Sequence, residues 1–413
     1  MGPGFSPLSE RLQVLPGGLS PALVDLAVRF GTQLPFAKAA ELLSAACGTV
    51  VSHDTVRRLT ERAGAVWRQL EFDLASMLTT SAVTADTDEI DIPEMDPVAA
   101  EHDVLLSLDG AMVPLVGGEW AEIRTVVVGS LIPTPHGSTA TRLSYASRLT
   151  SATEFGLSVY GELARRRVPA HPEAVVAVSD GAVWIQDLLD LHCPGSVRVL
   201  DLMHVMEYLA SAARTVFGPG TQATSDWLAA RRTELKAGNR DQVLTQVAEL
   251  PASEAQPDAL RYLTARLDML AYDRFIAAGW PIGSGVVESA NKLVVEARLK
   301  GAGMHWQREH ADAVVGLRAL DASARWDTAW PRIVAAWRAT MRGRRRHQPV
   351  ALVIPTPVAA PVTPPALPGP GDSLSSRLPV SRPKTIINGK PTTDHPWKRS
   401  LFPRNPDLPP RSH

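Results

Sequence analysis

Three acidic residues of this 413-residue chain stand where carboxylates commonly do chemistry. Asp109 follows the apolar run Val104-Leu105-Leu106-Ser107-Leu108, Asp180 follows Val175-Val176-Ala177-Val178-Ser179, and Glu288 enters a helical stretch opened by Gly283-Ser284-Gly285. Five or so apolar residues bounded by turn signals read as a buried strand. The Asp-Gly pair after each run is expected to stop pairing and leave its carboxylate at the strand's end, which in an open sheet is where ligands gather. Hard carboxylate oxygens suit Mg²⁺ or Mn²⁺ better than zinc. Two such ions about 4 Å apart can stabilise the attacking and leaving oxygens of an in-line phosphoryl displacement. Asp-Gly is also a common hairpin dipeptide, so either pair alone carries less weight than the three acids together.

Around Glu288 the spacing suggests a site. If Ser284 caps the helix, Glu288 ends its first turn, and Asn291 and Lys292 follow on the same face, aiming a carboxylate, an amide and a cation at one phosphate. The alternative is a plain surface pair between Glu288 and Lys292. Further on, Arg298, Lys300, His305 and Trp306 form a basic and aromatic cluster suited to DNA, with Trp306 either stacking on a base or filling the core. Asp201 ends another apolar run, Val197-Arg198-Val199-Leu200, and His204 lies one turn beyond. His204 either orients a scissile phosphate or water, or is a core histidine bonded to Asp201.

The strings SLDGAMVP (107–114), VSDGAVWIQDLL (178–189), DLMHVMEYL (201–209), WPIGSGVVESANKLVVEARLKGAGMHW (280–306) and WQREHADAVVGLRAL (306–320) carry a family resemblance. Together, over roughly residues 20–340, the chain resembles bacterial insertion-sequence transposases of the DDE class, in the branch with a C/D-x-x-H element, here Asp201 to His204. The resemblance implies a ribonuclease-H-like core in which Asp109, Asp180 and Glu288 bind the metal ions that cut the transposon end and join its 3′ hydroxyl to target DNA. It also implies a homo-oligomer that synapses two ends on double-stranded DNA. Asp201 competes with Asp180 for the second metal position. The fold places that acid on a strand before a helix, and residues 182–191 read as that helix, so Asp180 ranks first. Two other readings stay open: a metal nuclease of the same fold without strand transfer, and a transposase-derived protein that binds DNA without cutting it. Relatives often carry a cysteine-rich zinc segment ahead of this region, and the residues from Met1 show none, so the start is either truncated or does without that module.

The expected fold class is α/β: a ribonuclease-H-like mixed sheet with a helical insertion, preceded by an all-helical region and followed by a disordered tail. Residues 1–68 are expected to be the helical DNA-binding region. Apolar spacing at Leu23 to Phe30 and Ala37 to Ala46, then a capped helix from Ser52, resemble a helix-turn-helix whose last helix offers Arg57, Arg58 and Arg62 to phosphates or guanine edges. An acidic linker is expected over 69–103. The core then runs from 104 to 204, with strands at Val104–Leu108, Ile123–Leu131 and Thr141–Ser147, a helix near 152–167, and strands at 175–178 and 197–200. A helical insertion over 205–280, the rest of the core over 281–347 and a Pro-rich tail over 348–413 complete the chain. Sixteen of the 34 prolines fall between Pro349 and Pro410, which argues against a packed domain there.

Composition narrows the partners. The formal net charge is −1, awkward for an affinity built on phosphate neutralisation. The charge is unevenly spread, however, with acids crowded between Asp86 and Asp103 and basic clusters at Arg57 to Arg62, Arg165 to Arg167 and Arg342 to Arg346, each of which read alone is a solvated face. Cys47 and Cys193 are the only cysteines and form no metal-binding spacing. No apolar stretch reaches the roughly 18 residues of a membrane span. The expectation is a cytoplasmic, nucleoid-associated enzyme.

Overall fold

The apolar runs of the sequence become the middle of a five-stranded sheet. β1 (Asp103–Pro114) pairs antiparallel with β2 (Trp120–Thr134), which pairs antiparallel with β3 (Gly137–Arg148). On its other side β1 pairs parallel with β4 (Val175–Ser179), which pairs parallel with β5 (Val197–Leu200). The order across the sheet is β3-β2-β1-β4-β5. Side chains alternate across the pleat, so Val104, Leu106 and Leu108 face one layer while Leu105, Ala111 and Val113 face the other. Both faces are covered, which is why the runs read as almost uninterrupted hydrophobics.

In this computed structural model, residues 19–83, 92, 96–98, 102–168, 174–346, 386–387 and 390–391 are described, with side chains at all of these except 80–83, 341–346, 386–387 and 390–391. The chain divides into two units, Met1–His347 and Gln348–His413. In the second, Ile386–Ile387 and Lys390–Pro391 pair as a two-stranded antiparallel ribbon. The rest of the expected tail, residues 1–18 and residues 84–91, 93–95 and 99–101 of the expected acidic linker lie outside the described residues, as do the side chains of Arg342 to Arg346.

One face of the sheet is covered by α4 (Ala152–Arg165) and α5 (Val183–His192). There Phe155, Val159, Ile185 and Leu189 meet Leu106, Val126 and Ala177. α4 starts in a reciprocal capping box between Ser151 and Glu154. The helices of the expected insertion are α6 (Leu202–Phe217), α7 (Gln222–Lys236), α8 (Arg240–Ala248), α9 (Ala255–Thr264) and α10 (Tyr272–Ala277). They enclose a core of their own that continues onto Leu105, Val176 and Val178 of the sheet. The Tyr272 hydroxyl donates to the Leu200 carbonyl at 2.9 Å, fastening this subdomain to the end of β5.

The amino-terminal helices are α1 (Pro21–Gln33), capped by Ser20, α2 (Phe36–Cys47), stopped at the left-handed Gly48, and α3 (His53–Val83). Ser52 Oγ accepts the Thr55 amide at 3.1 Å, as the expected start of α3 requires. α3 continues to Val83, well past residue 68, so residues 69–83 are helix and not linker. The reason is burial: Val66, Trp67, Leu74 and Leu78 keep an apolar stripe in the core along its length. Val24, Leu43 and Trp67 share one cluster with Leu317 of α13 (Arg308–Ala322) and Trp330 and Ile333 of α14 (Trp326–Arg346). A Cβ on Gly64 would stand 2.3 Å from the Ala313 carbonyl oxygen, so glycine is what lets α3 lie against α13.

A buried charge network joins α4 to the turn before α14. Glu162 is fully buried, and its Oε2 accepts from Arg165 at 2.7 Å and Arg325 at 3.1 Å. Burial alone would raise its pKa, but the two guanidiniums outweigh it and hold the carboxyl below its ordinary value. Glu162→Ala would remove the buried carboxylate that Arg165 and Arg325 share, a change that costs about 3–5 kcal/mol. Denaturant unfolding of that variant is expected to show such a loss, and a loss below about 1 kcal/mol would contradict the assignment.

Candidate active site

Asp109 does not end its strand. β1 continues through it, with Asp109 opposite Thr125 and Gly110 opposite Arg124. What stops is the pairing with β4, whose last partner on β1 is Ser107. The long antiparallel arm of β2 carries the ladder onward, so the expected break after Leu108 applies to one side of the strand only. Asp109 therefore lies just beyond the point where β1 and β4 part. Asp180 does follow a strand end, because β4 finishes at Ser179 and Gly181 turns the chain at φ +74°. A Cβ on Gly181 would meet Arg266 Nε at 2.4 Å.

Asp109 sits half-buried on the sheet face toward α6 and the helix bearing Glu288. Its Oδ1 accepts the Gly110 amide at 2.7 Å, and its Oδ2 accepts Asn291 Nδ2 at 2.8 Å. Its carboxyl is pushed up to about 6, first by burial and then by the charge of Asp180, against the pull of the Gly110 amide, His204 and Asn291. Asp180 and His204 are thus electrostatic neighbours of Asp109. Asp180 Oδ1 accepts the Ala182 amide at 2.9 Å, and its backbone carbonyl accepts the Tyr262 hydroxyl at 2.6 Å. Arg266 stacks over the Tyr262 ring and donates to the Gly181 carbonyl at 2.8 Å. Two side chains of the insertion therefore fix the loop that carries Asp180.

Asp201 is 1% exposed and fully engaged. Its Oδ1 accepts the Met203 amide, capping α6, while its Oδ2 accepts both the Ser284 amide at 3.0 Å and the Ser284 hydroxyl. A carboxylate so saturated with protein donors is committed to structure, which favours Asp180 over Asp201 as a ligand. His204 is half-exposed and does not bond Asp201; its Nδ1 lies 3.5 Å from Glu207.

Ser284 precedes α11 (Gly285–Ala290), but its side chain does not cap that helix as expected, because the hydroxyl is given to Asp201. Glu288 is exposed on the first turn, with Oε1 3.4 Å from Ser284 Oγ. The helix widens into a π-helical segment, Asn291–Glu296, and resumes as α12 (Ala297–Leu299). Such bulges occur frequently at functional sites. This one buries Asn291 and presents its amide to Asp109. Lys292 is exposed, and among the described residues no ion pair joins it to Glu288.

No protein-family model matches the chain, and no curated protein is similar to it. The site therefore rests on its own geometry. Among the described residues, no three His, Cys, Asp or Glu side chains are drawn close enough together to enclose a metal ion. Asp109 and Asp180 nevertheless fit a hard divalent cation: they offer carboxylate oxygens, and the charge repulsion that raises Asp109 is what a cation beside both would relieve.

The expected DNA-contacting residues separate into two groups. Arg298 is corrected: at 2% exposure it is buried, donates to the Gly31 carbonyl at 3.2 Å and packs over Phe36 and Trp306. Burial and the nearby Arg318 push it down to about 10. Trp306 is a core residue whose indole donates to the Leu299 carbonyl at 3.2 Å. The basic and aromatic residue types that suggested a cluster did not reveal that Gly31 of α1 offers Arg298 a carbonyl. Lys300 pairs with Glu296 at 2.6 Å; Arg57 pairs with Asp54 and Glu61, Arg58 with Asp54, and Arg62 bonds Thr340. These and Lys292 are at least partly open to solvent. The roles of Ser284, Tyr262 and Arg266 had no local sequence signal, since each acts on a residue about eighty positions away.

Asp109 supplies a test with a definite sign. Its folded pKa, about 6, lies above the ordinary aspartate value of 3.8, so its contribution to stability is full below about 3.8 and is lost as pH rises through about 6. Asp109→Asn cannot ionise, and Asn291, whose Oδ1 has no partner, can rotate its amide to face the new one. In chelator, the melting temperature of this variant is expected to exceed that of the parent increasingly between pH 4 and 7. A pH-independent difference would contradict the burial argument.

Proposed function

We propose that the chain is a DNA transposase with a ribonuclease-H-like core, cutting element ends and joining the 3′ hydroxyl to target DNA. The observation that carries this reading is that Asp109 on β1 and Asp180 just past β4, its parallel neighbour, are electrostatic neighbours, with the Glu288 helix tied to the end of β5 through Asp201–Ser284 and to β1 through Asn291–Asp109. The strand order β3-β2-β1-β4-β5, with three antiparallel strands leading into two parallel ones, supports it.

In this reading Asp109, Asp180 and Glu288 hold Mg²⁺ or Mn²⁺, which supplies Lewis acidity for an in-line phosphoryl displacement. Asn291 holds Asp109 Oδ2 in place. His204, half-exposed beside Asp109, offers an imidazole nitrogen that can accept a proton from the attacking hydroxyl or water. Asp201 is a positioning residue, since it acts through Ser284. Arg57, Arg58, Arg62, Lys292 and Lys300 are the cations proposed to meet double-stranded DNA, and Arg298 is not among them. A homo-oligomer that holds two ends together completes the proposal.

The test is cleavage and joining of a duplex bearing the flanking element ends in Mg²⁺. The parent protein is expected to give joined products. Asp109→Ala, Asp180→Ala and Glu288→Ala are each expected to lose about 10²–10³-fold in rate, the scale for losing one preorganised electrostatic group. Asp201→Ala should also lower the melting temperature. Nicked but unjoined products would favour a nuclease, and binding in chelator without cutting in Mg²⁺ would favour a DNA-binding protein. Either result overturns the transposase reading.

A second measurement addresses the surface. Lys292→Ala and Arg58→Ala are each expected to reduce the slope of log affinity against log salt by about one, as for one lost phosphate contact. An unchanged slope would remove that residue from the interface.

A further inference from the structure

Behind the Asp180 loop lies a pocket of about 610 Å³ between the start of α5, the turn before β5 and the segment after α9. Two polar side-chain groups of its lining have no partner in the protein. Ser196 is 8% exposed, and its hydroxyl has no partner in the protein. Gln186 gives its Oε1 to Arg198 at 3.1 Å, which fixes the amide and leaves its buried Nε2 donor unpartnered. Arg198 lines the same space from β5, with Nη1 on Gln186 and Nη2 on the exposed Asp190 carboxylate, and Arg266 lines it from the insertion, with Nε and Nη1 bonded to the Gly181 and Tyr262 carbonyls. The N-cap of α5, Ala182, makes no side-chain cap and gives its own amide to Asp180, so the amides from Val183 onward form the positive end of a ten-residue helix. Asp268 is the acid in the lining, beside two arginines.

Buried donors left without acceptors are costly unless a ligand supplies acceptors. Two arginines, an amide, a hydroxyl and a helix start suit an anion with several oxygens. The volume exceeds that of a bare phosphate and is in the range of small-molecule sites. We propose that this pocket binds the 5′-terminal nucleotide of a DNA strand through its terminal phosphate, whose three free oxygens meet Ser196, Gln186 and Arg198. The assignment of the ligand to DNA rests on the transposase reading, while the anion chemistry does not. Because Gly181 belongs to both the pocket lining and the Asp180 turn, occupancy holds the strand beside the carboxylates.

The experiment is fluorescence-polarisation binding of a labelled single-stranded tetranucleotide, with and without a 5′ phosphate, to the full chain in chelator. Free deoxyadenosine 5′-monophosphate serves as competitor. The phosphorylated tetranucleotide is expected to bind at least about fivefold more tightly than the unphosphorylated one and than the free nucleotide. Ser196→Ala, which removes an unpartnered hydroxyl and leaves the fold intact, and Arg198→Gln are each expected to remove most of that advantage. Asp109→Asn is expected to preserve it. Equal binding with and without phosphate, or no effect of Ser196→Ala and Arg198→Gln, would overturn the pocket assignment. Free nucleotide binding as tightly as the strand would overturn its assignment to DNA. Chelator removes catalysis from the readout, so a chain that binds here but never cuts DNA would sink the transposase reading alone.

Discussion

The buried carboxylate of Asp201 is the constraint on which the site depends. An isolated charge removed from water costs several kcal/mol, and this one is stabilised by three donors, from Met203 and Ser284. Those bonds bring together the end of β5, the start of α6 and the turn that launches α11. The Asp201 amide also donates to the Ser179 carbonyl at 2.8 Å, and the Leu202 amide to the Ile282 carbonyl at 3.0 Å, so the same corner holds the residue before Asp180. Once that corner is set, Glu288 must leave from one turn beyond Ser284. The π-helical segment then places Asn291 on Asp109.

Much of this was legible in the sequence, for physical reasons. The runs before Asp109 and Asp180 are buried on both faces, and that requirement writes itself as nearly continuous apolar residues, whereas the run before Asp201 lies on the edge strand β5 and carries the partly exposed Arg198. The cap at Ser52 marks a helix start because a hydroxyl is needed there for an orphan amide. What was not legible depends on partners remote in sequence. That β1 continues past Asp109 depends on the length of β2. That Ser284 serves Asp201 and not its own helix depends on a contact across eighty residues. Arg298 looked like a DNA contact because its neighbours are basic and aromatic, yet α1 supplies a carbonyl that draws it inward.

The helical parts do more than surround the sheet. The insertion grips both strand ends, Tyr272 on Leu200 and Tyr262 with Arg266 on the Asp180 loop, so movement of that subdomain would be felt at the carboxylate. At the other end, α1 to α3 share a core with α13 and α14. The arginines at the start of α3 therefore sit on a helix that is rigidly packed against the element following the Glu288 helix. A chain with almost no net charge can still present cations locally in this way. No helix among the described residues is long and apolar enough to cross a membrane.

The central claim is that Asp109, Asp180 and Glu288 serve one divalent cation site. Titration of the full chain with Mn²⁺, following free ion by electron paramagnetic resonance, tests it most directly. The account predicts saturable binding by the parent protein that is weakened at least about tenfold by each of Asp109→Asn, Asp180→Asn and Glu288→Gln, the scale on which metal-site substitutions act, while Asp312→Asn leaves it unchanged. Binding that is absent, or indifferent to all three substitutions, would contradict it.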